Sequence, residues 1–349
     1  RWARWARKGT TIMQMGLKIT TMIQQPLGIL QTVDVIGKEY TMRGLAYMYG
    51  QPSKFPEKAR LVMEKSKFME NRIQAFDRDV RDAMKGLTLK DSVMQEVERF
   101  AYKGIGMAQM GVDLPTWWGA YEKALQVEYK DVRDVDAREK KAIAYADSAV
   151  RTSQGSGSTL DLSRIQRGGE FQRLLTMFYS YFNTLYNLTY RRAKQTTSYK
   201  DVPQLAASAM LLWFLPAVLS DLVSGRGPDD DDEWLPWMAQ KIGLYPLQML
   251  VGVRDVANAA FGEFGYQLTP AESAPKSIVN WFKAVEKAIK EGEPERLVKP
   301  TAEAIGFIAH LPLKQPIITI GNIWDYATGK DSEFQARDLF FPKQESRRR

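Results

Sequence analysis

The chain has 349 residues, of which 44% are hydrophobic and 26% are charged. This length and composition predict a folded protein with one large core or roughly two or three subdomains, and they exclude a wholly disordered chain and a small disulfide-stapled module. The absence of cysteine excludes disulfides, cysteine nucleophiles and thiolate metal sites, and the single histidine, His310, excludes multi-histidine metal sites.

The net charge is +8, and the positive excess is clustered. The clusters are Arg1, Arg4, Arg7 and Lys8, then Arg191, Arg192 and Lys194, and finally Arg347, Arg348 and Arg349. Such clusters favour phosphate, in nucleic acid or in lipid head groups, although ordinary solvated surface is the plainer interpretation. We take Arg191, Arg192 and Lys194 as the candidate residues for contact with phosphate or lipid head groups.

Apolar residues recur at steps of three and four, and no alternating runs bounded by turn residues predict a strand, so the expected fold class is all-α. We expect a multi-helix bundle with a hydrophobic helical hairpin, and an extended, oligomeric form is one option. The predicted segments are an irregular Met/Gly-rich helical segment (1–56), an amphipathic helical bundle (57–151), a Gly/Ser joint (152–170), an aromatic helix (171–200), a hydrophobic helical hairpin (201–260), and C-terminal helices with a tail (261–349).

Within the bundle, an apolar seam from Met69 to Leu87 predicts an amphipathic helix whose charged outer face, including Arg72, meets water. Asp91 or Ser92 can cap the next helix. Asp113 and Pro115 mark a further helix start that leads into Trp117 and Trp118. Asp134 or Asp136 opens a helix that runs to Arg151.

The aromatic helix places one wide apolar face on residues that recur at steps of three and four. The residues that we expect to pack against a partner are Phe171, Phe178, Tyr181 and Phe182. This face belongs either to the core of an all-α domain or to a contact with another chain or with lipid.

The hydrophobic hairpin begins with the almost wholly apolar run Leu205 to Ser220, which Pro216 should kink. An acidic tip, Asp229 to Glu233, leads to a second apolar run, Ile242 to Val253. The expected membrane or oligomer contacts are Leu211, Leu212, Trp213, Phe214, Leu215, Trp234 and Trp237. The marginal length, Lys241 and the prolines favour instead a buried hairpin of a soluble bundle.

The C-terminal part contains a clear helix opened by Pro316, with Gly329 as its left-handed cap. The tail that follows, with Phe340 and Phe341, is of a kind that docks on its own bundle or on a neighbour. No catalytic, cofactor or metal site is predicted. The Gly/Ser joint lacks the lysine and the preceding strand of a phosphate loop, and Asp229 to Asp232 lack calcium-loop spacing. Glu122 and Asp147 have aromatic neighbours, as carboxylates of glycosidases do, but they also fit the polar face of a helix.

Three motifs carry a resemblance to a known class of protein. They are Tyr145-Ala-Asp-Ser-Ala-Val-Arg-Thr-Ser-Gln-Gly-Ser-Gly with Ile165-Gln-Arg-Gly and Phe178-Tyr-Ser-Tyr-Phe-Asn, then Leu114-Pro-Thr-Trp-Trp-Gly-Ala-Tyr-Glu-Lys-Ala-Leu, and Ile323-Trp-Asp-Tyr-Ala-Thr-Gly with Phe340-Phe-Pro-Lys-Gln. Together they resemble the C-terminal part of very large tailed-phage virion proteins, the internal, ejected or "polyvalent" proteins that enter the host with the genome.

The resemblance implies a structural virion protein that is ejected with the genome and assembles into a conduit for DNA across the host envelope. It implies as partners other virion proteins (portal, tail or internal core), copies of the chain itself, phage DNA bound without sequence preference, and the host inner membrane, and no small-molecule substrate or cofactor. The expected location is the virion interior, then the host periplasm or inner membrane. Since the sequence opens at Arg1 as if within a helix, we expect a fragment or processed product.

Two other functions fit the sequence. One is a non-catalytic accessory domain of a larger peptidoglycan-cleaving virion protein whose enzymatic domain lies upstream. The other is a soluble helical nucleic-acid-binding module, with the basic clusters as its phosphate contacts.

Overall fold

A computed structural model describes the chain over residues 25–72, 92–154, 164–169, 179–223, 234–244, 280–287, 290, 297–308, 314–330, 334 and 336–339. Within these ranges the secondary structure is helical, with twelve α-helices and no strand, which confirms the all-α, multi-helix prediction. Several predicted features lie outside the described residues. These are most of the seam to Leu87, the Gly/Ser joint, Phe171, Phe178, the acidic tip, most of the second apolar run, His310, and the basic clusters at either end.

The first four helices are short. A 3-10 turn, Gln25–Gly28, leads into α1 (Ile29–Ile36), which is followed by α2 (Lys38–Tyr49), a second 3-10 turn (Pro52–Lys54), α3 (Phe55–Lys65) and α4 (Lys67–Glu70). Gly37 separates α1 from α2 with φ of 86°, a conformation that side chains disfavour. Ser66 caps α4, because its hydroxyl accepts a hydrogen bond from the Met69 amide at 3.0 Å.

The fifth helix, α5, is a single 32-residue helix (Ser92–Lys123) that ends in a π turn, Ala124–Glu128. The structure describes this helix from Ser92 onwards, and the separate helix start predicted at Asp113 and Pro115 is wrong, because the helix runs through both residues. Proline has no amide hydrogen, so Pro115 leaves the carbonyl of Gly111, four residues earlier, without its helical partner. The Tyr49 hydroxyl of α2 donates to that carbonyl instead.

The sixth helix, α6 (Val135–Gln154), runs back along α5. Asp134 is its cap, because one carboxylate oxygen accepts hydrogen bonds from the amides of Asp136 at 3.0 Å and Ala137 at 3.1 Å. Of the two predicted caps, Asp134 and Asp136, the helix therefore uses Asp134.

Helices α2 and α5 cross so closely that both need glycine at the contact. A Cβ atom on Gly44 of α2 would overlap the Pro115 carbonyl, and one on Gly119 of α5 would overlap the Tyr40 carbonyl. Next to this crossing, the rings of Tyr47 and Trp118 stack with centroids 3.7 Å apart. The two backbones therefore set the distance between these helices, and the aromatic rings fill the space beside them.

Helices α1 to α6 enclose one core, and we call them the N-terminal bundle. Its fully buried side chains come from both of the first two predicted segments and include Ile36, Met48, Val62, Met69, Leu114, Trp117 and Val150. Arg72 is also buried, with 1% of its surface exposed, so its predicted position on a water-facing surface is wrong. The guanidinium group donates from Nε to Asp113 Oδ2 at 2.8 Å, and both side chains are inside the protein.

The next helices contain the first predicted apolar run. Helix α7 (Tyr179–Gln195) leads through a 3-10 turn (Tyr199–Asp201) to α8 (Val202–Ala209), a π turn (Met210–Phe214), α9 (Leu215–Val223), and then α10 (Trp234–Leu244). The π turn comes just before Pro216, and the Leu215 amide bonds the Met210 carbonyl five residues back. The helix thus continues through Pro216 to Val223 with a widened turn.

The C-terminal part has helical residues 280–287, then α11 (Val298–Ile308), α12 (Lys314–Ala327) and a 3-10 turn, Ala336–Leu339. Gly329 follows α12 with φ of 71°, which confirms the predicted left-handed cap. The 3-10 turn docks on α12, where Asn322 donates to the Asp338 carbonyl at 2.7 Å and Thr319 donates to the Leu339 carbonyl at 2.6 Å. The described part of the tail therefore packs on its own chain.

Candidate functional site

The candidate site is built on α7 and the long apolar helix that folds back along it. Together we call α7 and residues 199–223 the apolar helix pair. The turn between them is held by Asp201, whose carboxylate accepts from the amides of Thr197 and Ser198, both at 3.0 Å. Farther along, the Trp213 indole donates to the Thr189 hydroxyl at 2.9 Å. The two helices are therefore joined at the turn and again in the middle.

The inner face of the pair is a small core of its own. Its buried members are Phe182, Leu185, Leu188, Leu212 and Trp213, and Val35 of α1 packs against them. Leu212 and Leu185 have no exposed surface. Two of the residues predicted as membrane or oligomer contacts, Leu212 and Trp213, thus lie in the interior of this chain, as does Phe182, which was predicted to pack against a partner.

The outer face of the apolar helix is turned away from that core. Val202, Met210 and Leu222 are 51%, 44% and 39% exposed, and Leu211, Phe214 and Leu215 are half-buried. Of the predicted contacts on α10, Trp234 is exposed, Trp237 is half-buried, and their rings meet edge to face at 5.7 Å. Asp221, the one carboxylate near the end of the helix, is on the buried side.

Among the described residues, one helix meets the length and composition needed to cross a membrane, namely Tyr199–Leu222, with 24 residues. At ~1.5 Å per residue it is ~36 Å long, and the hydrocarbon core of a bilayer is about 30 Å thick. A core helix of a soluble protein meets the same requirement when it is mostly buried. Here only 33% of the most apolar stretch is buried.

The outer face of α7 differs from that of the apolar helix, because it carries tyrosines, amides and cations. Tyr186, Asn187, Tyr190, Arg191 and Lys194 are all exposed and fall on one side of the helix. The Tyr186 and Tyr190 rings are almost parallel, at 11°, with centroids 6.2 Å apart. The Lys194 ammonium lies 4.9 Å from the centroid of the Tyr190 ring.

The three residues of the predicted phosphate cluster, Arg191, Arg192 and Lys194, have different surroundings in the structure. Arg192 turns inward, where its Nε donates to Asp34 Oδ1 at 3.1 Å and its Nη2 donates to the Asp34 carbonyl. It therefore ties α7 to α1 of the N-terminal bundle. Arg191 and Lys194 stay on the surface, so these two are the members of the cluster that are free to meet an anion. Tyr181, at the start of the helix, is 38% exposed and contacts the Phe182 ring edge to face.

The two carboxylates that were weighed as catalytic groups are held by neighbouring tryptophans of α5. Asp147 Oδ1 accepts from the Trp117 indole at 2.7 Å and from the Ser66 hydroxyl at 2.6 Å, and Glu122 accepts from the Trp118 indole at 2.9 Å. Burial raises the pKa of Asp147 above its usual value, although these hydrogen bonds oppose the shift. A raised pKa suits a general acid, but the two bonds commit this carboxylate to joining α4, α5 and α6.

A partly buried polar network inside the N-terminal bundle joins side chains that the sequence did not identify. Gln109 donates to Asp113 at 2.9 Å, and Gln154 donates to the Gly28 carbonyl and to the Thr32 hydroxyl, both at 2.9 Å. The Thr32 and Thr116 hydroxyls are 2.7 Å apart. Gln109 and Asp113 are one helical turn apart, but these bonds of Gln154 and Thr116 join residues 84 or more positions apart, which no local spacing could have identified. Their bonds fasten the first turn and α1 to α5 and α6.

A second polar cluster lies at the edge of the same bundle. Lys65 forms an ion pair with Glu139, which also accepts from the Tyr121 hydroxyl at 3.1 Å. The hydrogen bond from Lys65 lowers the pKa of Glu139, and the same bond raises the pKa of Lys65. Across the described part of the chain, no group of three or more His, Cys, Asp or Glu residues has the arrangement of a metal site. We see the Lys65 cluster as a link between α3, α5 and α6.

Comparison of the chain with protein-family models, with curated protein sequences and with solved structures finds no significant match.

Proposed function

We propose that the chain is a structural, internal virion protein of a tailed phage, ejected with the genome and taking part in a conduit for DNA across the host envelope. The observation that carries the proposal is the apolar helix Tyr199–Leu222, which is long enough to cross a bilayer and leaves two thirds of its most apolar stretch outside the core. The virion, the ejection and the DNA come from the resemblance of the sequence motifs.

The charges near this helix support contact with an anionic membrane surface. Arg191, Lys194 and Lys200 are exposed near the turn that begins the helix, where they can reach phosphate head groups. Asp221 is kept on the buried side, so the outer face of the helix between Val202 and Leu222 carries no charge. Such an arrangement suits a helix that rests on lipid with its apolar side.

In the conformation described, the proposed contact is interfacial and does not span the bilayer. Helix α7 lies alongside the apolar helix through Trp213 and Thr189. If both helices crossed the membrane together, the exposed Asn187 and Arg191 of α7 would enter the hydrocarbon region, which is costly for an unpaired charge or amide. Crossing would therefore require the apolar helix to leave α7, and the same outer face could then meet copies of the chain or other virion proteins.

The test is flotation of the purified chain with anionic liposomes, combined with measurement of its mass in solution. The informative variant is Met210→Glu/Leu222→Glu, because both side chains are exposed and can change without disturbing the core. The matched control is Val127→Glu/Val135→Glu, which adds the same charge at exposed valines of the N-terminal bundle. Leu212 is unsuitable as a membrane probe, because it is fully buried and its loss would perturb the fold.

We expect the wild type and the valine control to float, and the Met210/Leu222 variant to stay at the bottom of the gradient while remaining folded by circular dichroism. Loss of higher-mass species in the same variant would place the contact between copies on this face. A wild type that neither floats nor self-associates contradicts the proposed membrane conduit.

A further inference from the structure

The exposed side of α7 is a row of side chains that the core does not use, and the proposed membrane contact uses only its two cations, Arg191 and Lys194. We call it the tyrosine–cation row, and its members are Tyr186, Asn187, Tyr190, Arg191 and Lys194. Tyr186 is 54% exposed and Tyr190 is 51% exposed. The opposite side of α7 packs through Leu185 and Leu188, so the row is held on a helix that is fixed from behind.

The rings of the row are arranged to stack with another flat ring. The planes of Tyr186 and Tyr190 differ by only 11°, so a ring that stacks on one is also parallel to the other. The helix sets the spacing of the two residues, and each tyrosine has only two side-chain torsions to fix. Little conformational entropy is therefore lost when a planar group binds.

The charge of the row is uniformly positive. Helix α7 has no Asp or Glu between Tyr179 and Gln195. Within the described structure, neither Arg191 nor Lys194 forms an ion pair with a carboxylate, whereas Arg192 is committed to Asp34. Arg191 and Lys194 are thus left to neutralise phosphate from outside the chain.

We infer that the tyrosine–cation row binds single-stranded nucleic acid, with bases stacked on Tyr186 and Tyr190 and phosphates met by Arg191 and Lys194. Aromatic faces interleaved with cations are the common chemistry of proteins that hold single strands without reading sequence. Asn187 adds an amide that can donate to a base or phosphate and accept from a base. A duplex would offer its phosphates but keep its base faces covered, so the tyrosines favour unpaired bases.

A lipid surface fits the row less well. Helices that lie in a membrane interface bury Leu, Phe or Trp side chains among the lipids. The tyrosine–cation row has no aliphatic side chain, so the apolar gain of insertion is missing. The inference goes beyond the proposed membrane contact, which uses the apolar face of Val202, Met210 and Leu222 and shares only the cations Arg191 and Lys194 with the row. Tyr186 and Tyr190 belong to the row alone, and Met210 and Leu222 belong to the apolar face alone, so either proposal can fail without the other.

The row is short and predicts weak, salt-sensitive binding by one copy of the chain. From Tyr186 to Lys194 the helix rises ~12 Å at ~1.5 Å per residue. This length matches about three phosphates of a stacked strand at ~3.4 Å each. Several copies on one strand would bind more tightly through their raised local concentration.

The experiment measures fluorescence anisotropy of a labelled oligothymidine of about 15 nucleotides, a length in the range of single-strand sites. The main variant is Tyr186→Leu/Tyr190→Leu, because leucine keeps the helix and an apolar surface but removes the stacking face. The matched control is Trp324→Leu, which removes an exposed aromatic ring from α12. For charge, Arg191→Gln/Lys194→Gln is compared with Arg133→Gln/Lys140→Gln, which changes two exposed cations of the N-terminal bundle.

We expect the tyrosine variant to weaken oligothymidine binding by about 10-fold to 100-fold and the Trp324 control to leave it unchanged. The Arg191/Lys194 variant should reduce the slope of log affinity against log salt by about 1.4, and its control should not. The same tyrosine variant should still bind anionic vesicles as the wild type does.

Two outcomes overturn the inference. In the first, the leucine variant binds oligothymidine as tightly as the wild type, which means that stacking contributes nothing. In the second, the wild type binds anionic vesicles but not the oligonucleotide, and the Arg191/Lys194 variant loses the vesicles, which makes the row a lipid-binding surface.

Discussion

The N-terminal bundle and the apolar helix pair are both helical, but they are held together in different ways. In the bundle, two helix backbones meet at Gly44 and Gly119, and a buried ion pair and a polar network close the interior. In the helix pair, side chains interdigitate around Leu185 and Leu212, with one indole-to-hydroxyl bond across the middle. The stability of the bundle therefore depends on the positions of individual atoms, and the stability of the pair depends on the area of apolar surface that is buried.

This contrast indicates which region has surface to offer a partner. The polar side chains inside the bundle largely form hydrogen bonds or ion pairs with one another, and its outer surface carries both positive and negative charges. The helix pair leaves an uncharged apolar face on one helix and aromatic and cationic side chains on the other. We therefore expect substitutions inside the bundle to act on stability, and substitutions on the outer faces of the pair to act on binding.

The largest effect is expected from Asp113→Ala, which removes the carboxylate that meets the buried guanidinium of Arg72. Loss of one partner from a buried pair costs about 3–5 kcal/mol, because the remaining charge is desolvated. Urea unfolding measures the change. The double variant Asp113→Leu/Arg72→Met should recover much of the loss, since apolar replacement of a whole pair is often nearly neutral. No recovery would mean that the charges themselves stabilise the bundle.

Nearly as large an effect is expected from Gly119→Ala at the crossing of α2 and α5. The added methyl group would overlap the Tyr40 carbonyl, so the helices must separate, at a cost of about 3 kcal/mol. Gly321→Ala is the matched control, because a Cβ atom there meets nothing within 4 Å. This control should stabilise α12 by up to about 1 kcal/mol. Equal effects of the two substitutions would contradict the close backbone contact.

In the helix pair, Leu212→Ala should cost about 2–3 kcal/mol. This lies at the low end for a buried leucine, because the small core lies close to solvent and can collapse on the space that is left. The control is Met210→Ala, whose exposed side chain should change stability by less than about 0.5 kcal/mol. Thermal unfolding followed by circular dichroism compares the two. A large effect of Met210→Ala in the monomer would show that its side chain is not on the surface.

The bond from Tyr49 to the Gly111 carbonyl should contribute about 0.5–1.5 kcal/mol, because Pro115 leaves that carbonyl without an amide partner but water can reach the exposed site. Tyr49→Phe measures the loss in wild-type protein. In a Pro115→Ala background the carbonyl regains its helical amide, so the same substitution should cost less. A double-mutant cycle gives the coupling free energy between the two substitutions. A value of zero would show that the contribution of Tyr49 does not depend on Pro115.

The smallest effect is expected from Glu139→Gln, below about 1 kcal/mol, because the ion pair with Lys65 is near the surface. The folded-state pKa of Glu139 is lower than its unfolded value of about 4.5, so its contribution is present above that value and lost as the pH falls through the folded pKa. The pKa of Lys65 is raised, so the contribution is also lost as the pH rises through that folded pKa. Denaturant unfolding of both proteins at acidic, neutral and alkaline pH should show a difference only at neutral pH.

The sequence predicts the fold class and several helix ends, because these depend on local patterns. Asp134 and Gly329 act where capping chemistry places them. It could not predict that Pro115 lies inside a helix, because the compensating hydroxyl of Tyr49 is distant in sequence. It placed Arg72 in water for the same reason, since its partner Asp113 is 41 residues away.

The candidate surfaces were predicted in outline but not in detail. The apolar run from Leu205 to Ser220 identifies a helix that meets a hydrophobic environment, yet periodicity alone could not assign Leu212 to the interior and Met210 to the surface. The sequence likewise indicates one basic cluster, which consists of Arg191, Arg192 and Lys194. Only the position of Asp34, far away in the chain, separates the arginine that joins two helices from the cations that remain outside.

The bond between Asp34 and Arg192 also bears on the order of events during synthesis, since 158 positions separate its two residues. Helix α1 packs through Ile36 into the N-terminal bundle, which can close once α6 has left the ribosome. On its other side, Asp34 must wait for α7, and Val35 must also wait for the π turn Met210–Phe214. At about 5–20 residues per second, the ~60 residues from the end of α6 to the end of this π turn take roughly 3–12 s to be made. We expect the nascent chain to display an apolar and acidic patch on α1 during that interval, which a chaperone could bind at a defined chain length.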